Sequence, residues 1–396
     1  MKRRDFVIGT GAALLSAASY SNIIGANDRL GVALVGAGRR GRWMLKKMLE
    51  TGIFRPIILC DVWDEQMKRT KDFLKLDNLK ETYSIDEVLS NKDVDVVLLA
   101  SPDHLHKSYA VKIVKAGKHL YLEKPVTLKY QEGYSLKKAL NNSSSVCQTG
   151  TQQRSGNMYK QIKEDFFESS KMLGNIVFAR AVWSDFGWQR RKIESRPEPK
   201  NFKWNTFLGE STKIPYQWAR YDAWRNYKEY GAGILSDLLT HWVDVAQWMM
   251  NDTNPLNAVT TGGIYYLKDG RSNPDTVNSV IQYNKWNFSF ECTVLPIKNS
   301  QDSVLFQGTK GSLEVFRSGY IYRPHVGNEI VYENSEDLDL AHVYNFIDAI
   351  KTGKKPSANI QVGLDAVKPS HLAVSSYWEG KKVMFNEEQT KIIDAN

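Results

Sequence analysis

Leu30-Gly31-Val32-Ala33-Leu34-Val35 runs straight into Gly36-Ala37-Gly38-Arg39-Arg40-Gly41, and an acid, Asp61, follows about twenty residues later. The apolar run reads as a buried strand. In this spacing Gly36 permits a tight turn, Gly38 lets the backbone approach a pyrophosphate, and Gly41 lets the next helix pack closely on its strand. The surroundings agree: an amphipathic stretch from Trp43 to Leu49 follows the glycines, and a second apolar strand, Pro56 to Cys60, follows that. This is the signature of a dinucleotide-binding domain.

The alternation of strand and helix continues outward to Thr149, which predicts a parallel sheet covered by helices. Ser84 and Glu87 have capping-box spacing at the head of a short helix, Val94 to Ala100, apolar but for Asp95, reads as a buried strand, and Ser101-Pro102-Asp103 is a turn before a helix over Leu105 to Ala116. A strand from Leu120 to Glu123, a helix near Tyr130 to Leu140 and a strand at Val146 to Gln148 complete this half. Beyond residue 150 the period becomes that of an antiparallel sheet, in Val177 to Trp183, Thr276 to Tyr283 and Phe288 to Leu295, with a hairpin turn at Gly308 to Gly311. Two helical patterns, His342 to Thr352 and Val362 to Glu379, close the chain. The expected organisation is a signal segment over 1–26, a dinucleotide-binding domain over 27–150, and an α+β domain over 151–396 with an open, mostly antiparallel sheet.

At 396 residues two domains are the natural expectation, and the net charge of +9 is spread along the chain without the basic block that nucleic-acid binding would want. Cys60, Cys147 and Cys292 lie far apart inside apolar strands and read as core residues, with no metal site implied. Met1-Lys2-Arg3-Arg4-Asp5-Phe6-Val7, followed by the apolar run Ile8 to Ala18, looks like a twin-arginine export signal. That run is too short for a lasting membrane anchor, so the expectation is a periplasmic or otherwise exported protein.

Hydride transfer needs a bound nicotinamide and a group that handles the hydroxyl proton. Lys124, in Leu122-Glu123-Lys124-Pro125, sits where a parallel sheet presents its ligands. Asp237 and His241 are four apart in a helical pattern, which would put a carboxylate beside an imidazole base, with Asp244 near the same face. Asp61 should accept from an adenosine ribose hydroxyl and repel a 2′-phosphate, favouring NAD. Arg39, Arg40 and Arg42 keep NADP open, because guanidinium groups pair with phosphate. Trp218, Arg220, Tyr221 and Arg225 precede the Asp237 helix and suit a sugar, whose flat faces stack on aromatic rings; Arg154 is a further candidate wall.

Together these pieces resemble the Gfo/Idh/MocA family of nicotinamide-dependent oxidoreductases over nearly the whole chain after the signal. The resemblance rests on the glycine loop, Ser101-Pro102-Asp103-His104-Leu105-His106, Glu123-Lys124-Pro125, Asp237 with His241, and His342-Val343-Tyr344-Asn345-Phe346. It implies that Lys124 and His241 are the catalytic pair with Asp237 in support, and that Ser101, Pro102, His106 and Glu123 line the nicotinamide side. It also implies a homodimer or homotetramer built through the open sheet, for which Phe288, Phe290 and Cys292 offer apolar surface. The expected function is oxidation of a sugar or glycoside hydroxyl by tightly bound NAD. Two rivals use the same residues: redox-neutral glycoside hydrolysis through transient oxidation, and a non-catalytic sugar-binding protein that keeps NAD.

Overall fold

Two sheets organise the chain in the computed structural model, which describes residues 29–169, 171–184, 195–295 and 301–395. The export signal expected over 1–26 lies outside the described residues. So does part of the aromatic-rich stretch after Trp183, including Trp188.

The first sheet has six parallel strands: β1 (Leu30–Val35), β2 (Phe54–Cys60), β3 (Lys80–Thr82), β4 (Val96–Leu99), β5 (His119–Leu122) and β6 (Cys147–Thr149). Their spatial order is β3-β2-β1-β4-β5-β6, so the direction of winding reverses between β1 and β4 and opens a crevice at their carboxyl ends. Both faces are covered: Ala33, Val35, Val97 and Leu99 face one apolar cluster, while Val32, Leu34, Val96 and Leu98 face another. This is the doubly wound domain that the sequence predicts. Ser84 does stand at the head of the helix Ile85–Ser90, but its side chain makes no capping bond. Instead the Thr82 hydroxyl accepts from the Ser84 N–H at 3.1 Å.

The second sheet has ten strands: β7 (Ile176–Ser184), β8 (Asn257–Gly263), β9 (Thr276–Gln282), β10 (Asn287–Thr293), β11 (Ser303–Gly308), β12 (Gly311–Phe316), β13 (Gly319–Pro324), β14 (Ile330–Glu333), β15 (Val383–Phe385) and β16 (Ile392–Asp394). They lie in the order β14-β13-β12-β11-β7-β10-β9-β8-β15-β16. Every neighbouring pair is antiparallel except β7 with β10. The hairpin β11–β12 turns where expected, with Gly308 opposite Gly311.

One expectation is reversed here. Phe288, Phe290 and Cys292 do not face outward but lie in the inner core with Trp242, Val243 and Ala246 of the helix Leu239–Met250. Alternation tells which residues share a face and not which face is covered. The uncovered face carries a mixed row running from Val259 through Val280, Ser289, Arg180 and Leu305 to Glu314.

The late helices cross the expected domain boundary. Helix Leu338–Thr352, capped by Asp337, packs Val343, Phe346 and Ile347 against Val32, Leu34, Met44 and Met48 of the first domain. Helix Ile360–Glu379 places Val367 in the first domain's core, and Leu372 with Ala373 in the second's.

Candidate active site

The crevice begins at the glycine loop. Gly36 has φ +92°, and a Cβ there would stand 2.5 Å from Ala100 O, so only glycine lets the loops after β1 and β4 meet. A Cβ on Gly41 would fall 2.1 Å from Gly36 O, whereas a Cβ on Gly38 would meet nothing within 4 Å. The helix Arg39–Glu50 starts beside that open space with no side-chain cap. Unsatisfied amides at the positive end of a helix, next to a position left clear by glycine, fit the pyrophosphate of a dinucleotide.

Asp61, beyond the end of β2, is tied to this loop. Its Oδ2 accepts from the Ala37 N–H at 2.7 Å and its Oδ1 from the Trp63 N–H at 3.1 Å. Burial pushes its carboxyl up to about 6 despite those bonds. The three arginines part company. Arg39 is exposed. Arg42 donates to Gln66 Oε1 at 2.7 Å and to Ala37 O at 3.3 Å, on the Asp61 side. Arg40, expected to be a cofactor ligand, turns its side chain the other way: Nε donates to Glu123 Oε1 at 2.8 Å and the fork grips Asp339 at 2.8 and 3.1 Å. Its guanidinium is held by these two carboxylates.

The loops after β4 and β5 form the other wall. Ser101 and Pro102 stand at the carboxyl end of β4, beside the glycine loop. His106 does not line the crevice as expected. It is buried, its ring nitrogens lying 2.7 Å from Pro125 O and 2.9 Å from Ser101 O, so it braces the two loops from behind. Glu123 occupies space that a Cβ on Gly150 would take, 2.7 Å from its Oε2. Lys124 follows, joined to Pro125 by a cis peptide bond.

Lys124 meets the second domain directly: Nζ donates to Asp237 Oδ1 at 2.6 Å and to Asp237 O at 2.8 Å. Arg225 Nε lies 3.5 Å from the same Oδ1. Asp103, at the start of the helix Asp103–Lys115, is buried close to this group, and burial drives its carboxyl well above the usual range against the pull of Arg225. Sequence reading gave Asp103 no role. Its acid position at a helix start was the only available signal.

Asp237 and His241 do not share a continuous helix. A short helix, Ile234–Asp237, ends at the acid; Leu238 interrupts; and a new helix, Leu239–Met250, carries His241. The expected Asp237 to His241 support therefore fails, because the carboxylate is committed to Lys124 and Arg225. His241 Nδ1 is buried with no hydrogen-bond partner among the described residues. Burial first, then the charges of Lys124, Arg317 and Arg40, hold the imidazole well below its ordinary pKa. An imidazole held so is neutral at neutral pH and can accept a proton. Its ring centroid lies 5.8 Å from that of Trp183, on β7, which the sequence did not single out.

The remaining expectations also shift. Arg154 is neither wall nor surface group: it grips Asp244 through Nε, 3.0 Å from both carboxylate oxygens, and through Nη2 at 2.8 Å. Trp218 and Tyr221 pack edge-on against Trp63 at 5.4 and 5.9 Å, so they lie next to Asp61 at the adenosine end of the crevice and not over His241. Phe202 bridges Trp63 in the same cluster. Arg220 pairs with Glu229 at 3.2 Å and covers the Tyr227 ring. Of the expected sugar-facing residues, Arg225 alone reaches the Lys124 and Asp237 group.

Among the described residues no cluster of three or more metal-ligating side chains occurs, and no helix is long and apolar enough to cross a membrane.

Comparison with known proteins agrees with this architecture. Residues 30–151 match the model of an oxidoreductase family with an NAD-binding Rossmann fold, and residues 209–314 match the GFO/IDH/MocA C-terminal domain. Oxidoreductase P35 of Formosa agariphila is 24% identical over 65% of this chain and 71% of its own. The 1,5-anhydro-D-fructose reductase of Ensifer adhaerens is 23% identical over 72% of this chain and 78% of its own. Matches to two uncharacterized oxidoreductases span 55% and 46% of their lengths. A levoglucosan dehydrogenase solved with NADH and levoglucosan superposes with TM-score 0.70 over 90% of this chain and 99% of its own, and at 18% identity it speaks to the fold.

Proposed function

The chain belongs to the Gfo/Idh/MocA family of oxidoreductases, and from that premise we propose that it oxidises a hydroxyl of a sugar or glycoside. The observation that carries this reading is the meeting of Lys124, Asp237 and Arg225 from two domains beside the unpartnered His241 imidazole. NAD, when bound, supplies the hydride acceptor. The glycine loop and the start of helix Arg39–Glu50 would hold its pyrophosphate, Asp61 its adenosine ribose, and Ser101, Pro102 and Glu123 the nicotinamide side. Neutral His241 takes the hydroxyl proton. Lys124, aimed by Asp237, donates a hydrogen bond to the same oxygen as it gains negative charge. Arg225 and Asp103 flank that point and can read neighbouring hydroxyls.

Export and assembly belong to the same proposal. The twin-arginine pattern at Arg3-Arg4 supports a periplasmic enzyme, where no free nicotinamide pool would replenish a lost cofactor. The packing of Trp218 and Tyr221 on Trp63, beside Asp61, supports retention of the nucleotide. Exposed Val259 and Val280, side by side on the uncovered sheet face, support a homodimer or homotetramer.

The test is to denature the purified protein, identify the released nucleotide by mass, and screen sugars for growth of bound NADH absorbance. The reading expects stoichiometric NAD and a sugar-dependent signal that His241→Ala abolishes. An empty protein that takes up NAD only weakly would overturn it. Cleavage of a chromogenic glycoside without an added acceptor would replace net oxidation by redox-neutral hydrolysis. A signal that survives His241→Ala would leave a sugar-binding protein.

A further inference from the structure

His241 lacks the carboxylate that commonly orients a histidine base, yet its ring is not loose. The side of the crevice formed by the second sheet supplies what the helix does not. Trp183, near the end of β7, presents its indole to the imidazole at 5.8 Å with the planes 33° apart. Arg317, in the turn between β12 and β13, lies over the Trp183 ring at 5.6 Å and over Trp242 at 5.9 Å. Asp302 fixes Arg317, accepting from its Nε at 3.2 Å. We propose that Trp183 and Arg317, anchored by Asp302, are positioning residues for His241, replacing an orienting carboxylate with an aromatic and guanidinium stack. This rests on the reading of His241 as the base.

The charges around His241 fit such a device. Lys124 at the end of β5, Arg40 in the helix Arg39–Glu50 and Arg317 in the β12–β13 turn each disfavour a proton on the imidazole through their charge. Each has its own carboxylate elsewhere: Asp237 for Lys124 and Arg225, Glu123 and Asp339 for Arg40, and Asp302 for Arg317. Among the described residues burial and these cations outweigh any attraction from nearby acids, so the ring stays neutral while packing, with Nδ1 unpaired, sets its direction. Of the three cations Arg317 is the one whose side chain touches neither the proposed cofactor cradle nor Lys124. It can be altered without disturbing them.

Histidine ring NMR on the full, nucleotide-loaded protein tests this, with the His241 signal identified by its loss in His241→Gln. Removing a cation in Arg317→Gln should move the His241 titration to higher pH, and removing its counter-charge in Asp302→Asn should move it lower. His106 and His342, which do not face Arg317, should stay in place. Trp183→Leu should lower kcat about tenfold with little change in KM, and Trp183→Phe should restore most of it. The proposal is overturned if the two charge variants leave the His241 midpoint unchanged, or if Trp183→Leu raises KM at constant kcat, which would make the indole a substrate wall. The titration is read without turnover. A failure of the His241 base assignment would therefore appear separately, as activity retained in His241→Gln.

Discussion

Lys124 Nζ lies 2.6 Å from a carboxylate oxygen of Asp237, a residue 113 positions away that closes a short helix of the other domain. With both side chains nearly enclosed, this ion pair joins the two walls of the crevice and aims the ammonium. Asp237→Asn should lower kcat by roughly one to two orders of magnitude and, by leaving a buried lysine unpaired, cost about 3–5 kcal/mol of stability. The pH dependence has a definite sign. Burial would raise the Asp237 carboxyl, but Lys124 and Arg225 outweigh it and hold it below the ordinary value. Its contribution is present above the unfolded aspartate pKa of about 4 and is lost as pH falls through the lower folded value. Urea melts of both proteins from pH 7 to pH 3 should therefore converge at the acid end.

The glycines separate folding from binding. Gly38→Ala adds a methyl to open space and should change stability by about 1 kcal/mol or less while abolishing nucleotide uptake. Gly41→Ala drives a Cβ to 2.1 Å from Gly36 O and should destabilise the fold itself. Thermal melts alongside measurement of bound nucleotide would check the pair; equal losses of stability in both variants would refute the distinction.

Arg154→Ala leaves the buried Asp244 carboxylate without its bidentate partner and should cost about 3–5 kcal/mol. Because neither group touches Lys124 or His241, KM should stay near the wild-type value in whatever protein folds. A selective rise in KM would return Arg154 to the substrate wall.

Four histidines, at 104, 106, 342 and 371, are pushed down to about 4 by burial. They are neutral in the folded chain and take up protons on unfolding once pH falls below about 6.5. The unfolded state then binds more protons, so stability should fall by several kcal/mol between about pH 6.5 and 4. Denaturant midpoints at pH 7, 5.5 and 4.5 would follow it, and flat midpoints would contradict it.

Trp218→Ala removes one of the rings packed on Trp63. Nucleotide release, timed by gel filtration and mass detection, should quicken about tenfold, whereas Tyr227→Phe should leave it unchanged. Identical release from the Trp218 variant and the wild type would disconnect this aromatic cluster from retention.

What could be read from the sequence was local. Gly36, Gly38, Gly41 and Asp61 declare themselves because the turn, the helix start and the strand end lie within one βαβ unit, and Lys124 because it ends a parallel strand. The sequence spacing pairs Asp237 with His241, whereas the structure pairs it with Lys124: helical spacing is legible, while the interruption at Leu238 and a lysine from the other domain are not. The same limit governs Trp218 and Tyr221. Their aromatic character pointed to a binding surface, yet only the folded path through Phe202 and Trp63 decides which end of the crevice they cover. Arg40 looked like a phosphate ligand because its two acidic partners, Glu123 and Asp339, are distant in sequence.

Helix Leu338–Thr352 gives the molecule a circular dependence. The nucleotide-binding half is not finished when its own stretch of chain has been made: Val32, Leu34 and Met44 await Val343, Phe346 and Ile347, which arrive only after the whole second sheet up to β14 has been laid down. A fragment ending near residue 151 would display that greasy socket to water and clump. Neither half should melt alone, and a cell making this protein would gain a competent nucleotide cradle only near the end of synthesis.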